Sequence, residues 1–207
     1  MERMEIKSRT DSFFNFSKTK PFTRFHTVNA VNHYLQQAGN NKISSVDAFN
    51  AQRVMLNNLE YVPVADRIKY ASKKSIWKNF YKTPANLYEV HTKDFDLVVN
   101  PVIQFVVAKE KDNDETLYLN SRGLSLRGKI ANKIGFYTYL TDNQEKDPFF
   151  VRNWVNAREA VPGAGNYKTF KTTGYDYFDA RGGITFNVTK YIDVAFGYDR
   201  NFIGNGH

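Results

Sequence analysis

Cysteine is absent from this chain, and no apolar run approaches the roughly 18 residues that a membrane-crossing helix needs. The first absence removes any disulfide framework and any thiolate chemistry. The second removes the helical membrane proteins, although it does not touch β-barrels, which cross with strands of alternating polarity. The start of the chain, with Glu2, Arg3, Glu5, Lys7 and Arg9, leads into no apolar core of about 7 to 15 residues, so no secretory leader is expected within it. An exported form would carry its leader upstream of Met1.

Chemistry-bearing constellations are also scarce. His26, His33, His91 and His207 are scattered, without the i, i+4 spacing of a zinc helix, and no metal site is expected. Gly163-Ala164-Gly165 and Gly204-Asn205-Gly206 are too short for a dinucleotide fingerprint, and turn duty is the expectation for both. Asp176, Asp179, Asp193 and Asp199 would have to converge to run glycoside hydrolysis; acids balancing Arg127, Arg181 and Arg200 are the more economical account. No catalytic residue and no cofactor is assigned, and the chain reads as non-enzymatic.

A net charge of +8 suggests nucleic acid until it is mapped. Residues 1 to 93 hold 15 Lys and Arg against 7 Asp and Glu, whereas 94 to 207 hold 14 against 14. The whole excess is N-terminal, and its members form no DNA-binding motif, so a solvated face is expected and nucleic acid is not expected as a partner.

What the chain does have is aromatic residues, 15% of the total, and a two-residue period in its second half. Residues 1 to 45 are polar, with Phe13, Phe14, Phe16, Phe22 and Phe25 as isolated anchors, and read as an extended or partly ordered arm. Ser45, a candidate N-cap, opens a predicted helix to about Leu59, with Val46, Phe49, Leu56 and Leu59 on an apolar stripe and Met55 at its edge. A second short segment, 73 to 81, carries Trp77, Phe80 and Tyr81 and is ended by Pro84.

From Phe95 the pattern alternates. Phe95, Leu97, Val99, Pro101, Ile103, Phe105 and Val107 share one face, and Pro101 argues for an edge position, a bulge or the end of a ladder. Glu110 to Glu115 make the next turn. A three-residue loop at Ala131-Asn132-Lys133 would set Ile130 opposite Ile134, Gly128 opposite Phe136, Leu126 opposite Thr138 and Leu124 opposite Leu140, one largely apolar face. Ser125, Arg127, Lys129, Tyr137 and Tyr139 fall on the other. Around Thr189-Lys190-Tyr191 the same arithmetic gathers Ile184, Phe186, Val188, Ile192, Val194, Phe196 and Tyr198. Both short turns then share one rim. The segment from 142 to 173 falls on the opposite rim, with a short helix around Phe149, Phe150, Trp154 and Val155.

The expected fold is therefore mainly β: an antiparallel up-and-down meander forming the first strands of an outer-membrane β-barrel, preceded by a partly helical N-terminal segment. The domains are 1–93, an arm and helical segment, and 94–207, the strands. A soluble β-sandwich, serving as a carbohydrate-binding module or a glycoside hydrolase accessory domain, uses the same alternation and stays open on pattern alone.

The stretches NSRGLSLRGKI (120–130), GFYTYLTDNQ (135–144), VPG (161–163) and FGYDRNFIGNG (196–206) resemble the first barrel strands of Bacteroidota outer-membrane proteins, the capsule-assembly (Wzi-like) barrels and the related gliding-motility RemB type. The resemblance covers about 85 to 207 and is weaker before that. It implies a periplasmic N-terminal segment, an outer-membrane location in contact with lipid, and a role with surface polysaccharide or with adhesin and motility proteins. It also implies a fragment, because five or six strands do not close a barrel. If a saccharide is bound, Trp154, Arg152, Arg158 and Tyr167 on the long connection are the candidates: aromatic faces suit sugar rings and arginines suit acidic ones.

Overall fold

In the computed structural model the described residues are 2–8, 23–37, 43–74, 76–77, 79–189 and 191–200. The chain divides into two compact units, one of residues 1–89 with 200–207 and the other of residues 90–199. Phe13, Phe14, Phe16 and Phe22, Lys190 of the second short turn, His207 and the 201–206 part of the last resemblance stretch lie outside the described residues.

The N-terminal unit is helical where an arm was expected. It contains α1 (Glu2–Ser8), α2 (Arg24–Gln37), α3 (Ser45–Leu56) and α4 (Val64–Arg67), with single 3-10 turns at Leu59–Tyr61 and Ile68–Tyr70. Met4, Val28, Ala30, Val31, Tyr34, Ala51, Met55, Leu59 and Val62 form its core. Polar composition hid α2 because its buried residues are Val28, Ala30, Val31 and Tyr34 among Asn, His and Gln. Such a stripe is too thin to stand out by period.

Two details of α3 are corrected. The N-cap is Ser44, not Ser45; its backbone is extended and its Oγ accepts the Asp47 N–H at 3.2 Å. The buried face runs through Asp47, Ala51 and Met55, leaving Val46 and Phe49 exposed. The reason is electrostatic: Arg3 Nε donates to Asp47 Oδ1 at 2.6 Å, Lys7 donates to Oδ2 and Ser44 Oγ donates to Oδ2 at 2.5 Å, so the carboxylate is turned inward and paired. The described residues of 73–81 are not helical. Ile76 and Phe80 exchange backbone hydrogen bonds at 2.9 and 3.0 Å, and the chain reverses there.

One antiparallel sheet is formed by β1 (Tyr88–His91), which straddles the unit boundary, and by β2 (Phe95–Lys109), β3 (Thr116–Ile130), β4 (Ile134–Lys146), β5 (Lys168–Phe170), β6 (Gly174–Thr189) and β7 (Ile192–Tyr198) of the second unit. Its order is β1-β2-β3-β4-β6-β5, with β7 also paired to β6. Consecutive long strands are neighbours, as in a meander. β5 takes the Gly174–Asp176 end of one β6 edge and β7 takes the Gly182–Thr189 end. Because β1 has four residues and β2 has fifteen, most of β2, Pro101 included, borders only β3. That is the edge setting proline tolerates.

The register is the one the alternation predicts: Ile130↔Ile134, Gly128↔Phe136, Leu126↔Thr138 and Leu124↔Leu140. Ala131 and Asn132 both take positive φ, which closes the three-residue turn. In the last hairpin Ile184↔Phe196 and Phe186↔Val194 keep the predicted face, with an irregularity between Asn187 and Thr189. Asn187 N–H donates to Lys133 O at 2.8 Å, so the two short turns do share a rim. β4 continues to Lys146, so the long connection starts at 147 rather than 142.

The two faces of the open sheet differ: the outer one carries most of its exposed apolar side chains and the inner one buries several polar groups. Phe95, Ile130, Ile134 and Phe186 stand in one row of the outer face, and Ile103, Phe105 and Phe196 on that face are 79%, 69% and 80% exposed. The inner face buries the polar Asp96, Ser121, Thr141 and Asn143 together with the apolar Val98, Leu117 and Tyr175.

Candidate site at the long-loop rim and inner face

The 147–173 connection folds over the inner face. Pro148 precedes α5 (Phe149–Arg158), which ends where Glu159 adopts a left-handed backbone with φ of 51° and its N–H caps Val155 O. A tight turn follows, in which Val161 N–H meets Gly165 O at 2.8 Å. Gly163 and Gly165 take φ of 74° and 85°, the conformation glycine supplies without steric cost, so turn duty is their role. Val151, Val155 and Val161 of this segment pack with Tyr175 and Tyr177, which project from the inner face of β6.

Carboxylates of the facing connection, 110–115, tie the rim together. Glu115 receives Lys146 Nζ at 2.9 Å and Arg152 Nη1 at 2.6 Å. Those two cations hold the Glu115 carboxyl below the usual carboxylate range. Phe149 N–H donates to the Glu110 carboxylate at 3.2 Å, which places an anion at the first turn of α5.

The four predicted saccharide residues separate into two pairs. Arg152 is buried, donates its Nε to Asp147 O at 2.6 Å and lies 5.2 Å over the Phe149 ring, so it is a strut of the rim. Tyr167 stacks edge-on against Tyr175 at 4.9 Å inside the small apolar cluster. Trp154 and Arg158 remain on the accessible side, with the guanidinium 4.7 Å over the indole. This pair could meet a ring-shaped or anionic ligand; the other two brace it.

Farther down the inner face lies a polar network that pattern reading assigned only in outline. Arg181 Nε donates to Asp179 Oδ1 at 3.0 Å and stands 4.0 Å from Asp199, while Tyr137 O–H donates to Asp199 Oδ2 at 2.8 Å. Arg181 also covers the Tyr139 ring at 5.6 Å. Toward the short-turn rim, Asp96 sits 2.7 Å from His91 Nδ1 and 3.3 Å from Lys129 Nζ. Of the remaining acids weighed as a hydrolytic pair, Asp193 accepts from Asn187 and Asp176 accepts from Gln144 on the outer face. The acids are dispersed and matched by donors rather than convergent. Among the described residues no three His, Cys, Asp or Glu side chains gather as a metal set.

Among the described residues no helix is long and apolar enough to cross a membrane. Comparison with known proteins adds no relative: no family model, no curated protein and no solved structure matches this chain.

Proposed function

We propose that β2, β3, β4, β6 and β7 are wall strands of an outer-membrane β-barrel and that the chain is a non-enzymatic envelope protein serving surface polysaccharide assembly or attachment, or gliding motility. The observation that carries the barrel reading is the contrast between the faces of the sheet, with an exposed apolar field on the one that bears Ile103, Phe105 and Phe196 and buried polar groups on the other. Lipid satisfies the first face and a polar lumen the second. A sandwich would instead lay a second sheet on the apolar field, and among the described residues all seven strands belong to one sheet.

α5 and its braced connection then lie at the outer mouth, over the lumen side, with Trp154 and Arg158 turned toward whatever arrives from outside. The polysaccharide or motility role rests on the resemblance of 120–144 and 196–206 to the capsule-assembly and gliding-motility barrels. Lipid is the expected partner of the wall, and surface polysaccharide or adhesin proteins are the expected partners of the mouth.

The test is a pair of adjacent substitutions in the protein as its cell makes it. Ile103→Arg puts a cation on the apolar face at a cost of roughly 2–4 kcal/mol near the bilayer midplane, whereas Gln104→Arg points to the polar face. Loss of the outer-membrane fraction for the first and retention for the second is expected. Equal assembly of both overturns the barrel reading. Staining for capsule and tracking of surface movement in a deletion strain separate the two roles.

A further inference from the structure

The loop at 72–82 in the N-terminal unit has no part in the sheet, and it combines features that a buried or merely solvated turn would not keep. Ser72 N–H donates to Lys82 O at 2.8 Å at its base, Ile76 and Phe80 exchange hydrogen bonds near its tip, and Asn79 N–H reaches Trp77 O at 2.7 Å. These bonds hold the described residues of the loop in shape. Trp77 nevertheless carries φ of 48°, a region that disfavours every residue with a Cβ and that glycine would occupy freely. Its indole is 82% exposed, touching Phe80 edge-on at 6.0 Å, and Ile76 beside it is half exposed. A strained backbone that presents a large apolar side chain to solvent points to a contact made elsewhere.

The charge around the tip says what that contact is. Between residues 68 and 82 the sequence has Lys69, Lys73, Lys74, Lys78 and Lys82 and neither Asp nor Glu. Lys69 pairs with Asp66 at 2.6 Å, while Lys73 and Lys74 on one arm and Lys82 on the other are exposed. An apolar tip needs a non-aqueous phase, and lysines at its base need anions at the border of that phase. A bilayer bearing anionic phospholipid headgroups supplies both in that order, with tryptophan at home in the interface. A protein groove would satisfy Ile76 and Trp77, but the unmixed positive charge on both arms favours a continuous anionic surface.

We infer that residues 72–82 form a membrane-contacting tip in which Trp77 and Ile76 enter the headgroup boundary and Lys73, Lys74 and Lys82 bind anionic headgroups. This contact depends on the 68–82 segment alone and holds whether or not β2, β3, β4, β6 and β7 enter a bilayer. The chain has two tryptophans, so Trp154→Phe leaves Trp77 as the only reporter. The full chain in that background is mixed with phosphatidylcholine vesicles, with or without phosphatidylglycerol, the lipids carrying brominated acyl chains in both cases. Quenching of Trp77 in the anionic vesicles only, reversed by salt, is expected. Since each lysine near an anionic surface contributes about a fivefold factor, Lys73→Glu with Lys74→Glu weakens the quenching-derived partition more than about twentyfold. The helical circular dichroism of that variant reports that its fold is intact. Quenching that is equal in neutral vesicles, or absent in both, or indifferent to the charge reversal, overturns the inference. So does a Trp77 emission shift that follows protein concentration without lipid, which would identify a second copy as the occupant.

Discussion

Arg152 and Glu115, from connections separated by a whole strand pair, meet at 2.6 Å and fasten α5 to the 110–115 turn. Arg152 is buried and Glu115 only partly so, which makes the arginine the costlier residue to remove. Arg152→Ala is expected to raise the rate of limited proteolysis within 147–173 on the order of tenfold, because Asp147 O and Glu115 lose their shared donor. Lowered pKa at Glu115 sets the sign of the acid response: its tether is complete above the ordinary carboxylate range and is lost as pH falls through the lowered value. Loss of this tether should thus add to cleavage in the wild type only below about pH 4.5. Arg152→Ala should show little of that rise.

A second acid response belongs to the helical unit. The Asp47 side chain is 1% exposed, and the Lys7, Ser44 and Arg3 donors keep its carboxyl well below the ordinary value of 3.8. Stability from this group is present in full above that value and disappears as pH drops through the depressed one. Melting followed by the helical circular dichroism signal should lose stability below about pH 4. Asp47→Ala should cost about 1–3 kcal/mol at neutral pH and flatten the acid limb. An unchanged acid limb in that variant would assign the loss to another carboxylate.

These two sites mark where sequence reading succeeds and where it fails. Strand alternation is a strong local signal, and the faces of β3 and β4 follow from Ile130 and Ile134 flanking a three-residue turn; a slip by one position would reverse every side chain. The burial of Asp47 follows from Arg3 and Lys7, about forty residues away in sequence, and no local window contains that pairing. Periodicity alone adds Val46 and Phe49 to the buried stripe, although both are exposed, while Met55 and Leu59 lie in the core and Leu56 packs against it. At the mouth, Trp154 and Arg158 are legible because i, i+4 spacing brings them together on a helix. Arg152 looks equivalent on paper, but Glu115 decides its direction, and Glu115 comes from the preceding hairpin.

Gly128 offers a test of the sheet that is independent of any membrane. A Cβ at this position would lie 2.4 Å from Asp96 O and 2.5 Å from the Phe136 ring, so the neighbouring backbone and the ring that covers the glycine both have to move. Gly128→Ala is expected to destabilise the β2–β3–β4 region by about 1–3 kcal/mol. Adding Phe136→Ala frees the ring but leaves the Asp96 carbonyl in place, so it should rescue only part of the loss. Full rescue in a denaturant titration would mean the backbone clash is easily relieved.

Arg181 is the cation that two inner-face acids share, with Asp179 at 3.0 Å and Asp199 at 4.0 Å, and its plane covers the Tyr139 ring. Partial solvent access limits the value of these ion pairs, so Arg181→Ala should cost only about 1–2 kcal/mol. Arg181→Lys keeps the charge but loses both the fork that meets Asp179 and the flat contact with Tyr139, and it should recover less than half of the loss. A double-mutant cycle of Arg181→Ala with Asp199→Asn separates the two acids. Coupling of at least about 0.5 kcal/mol in urea unfolding shows that the longer contact to Asp199 carries energy of its own. Additive effects would instead assign the stabilisation to Asp179 and Tyr139, and Asp199 would be held chiefly by the Tyr137 hydroxyl at 2.8 Å.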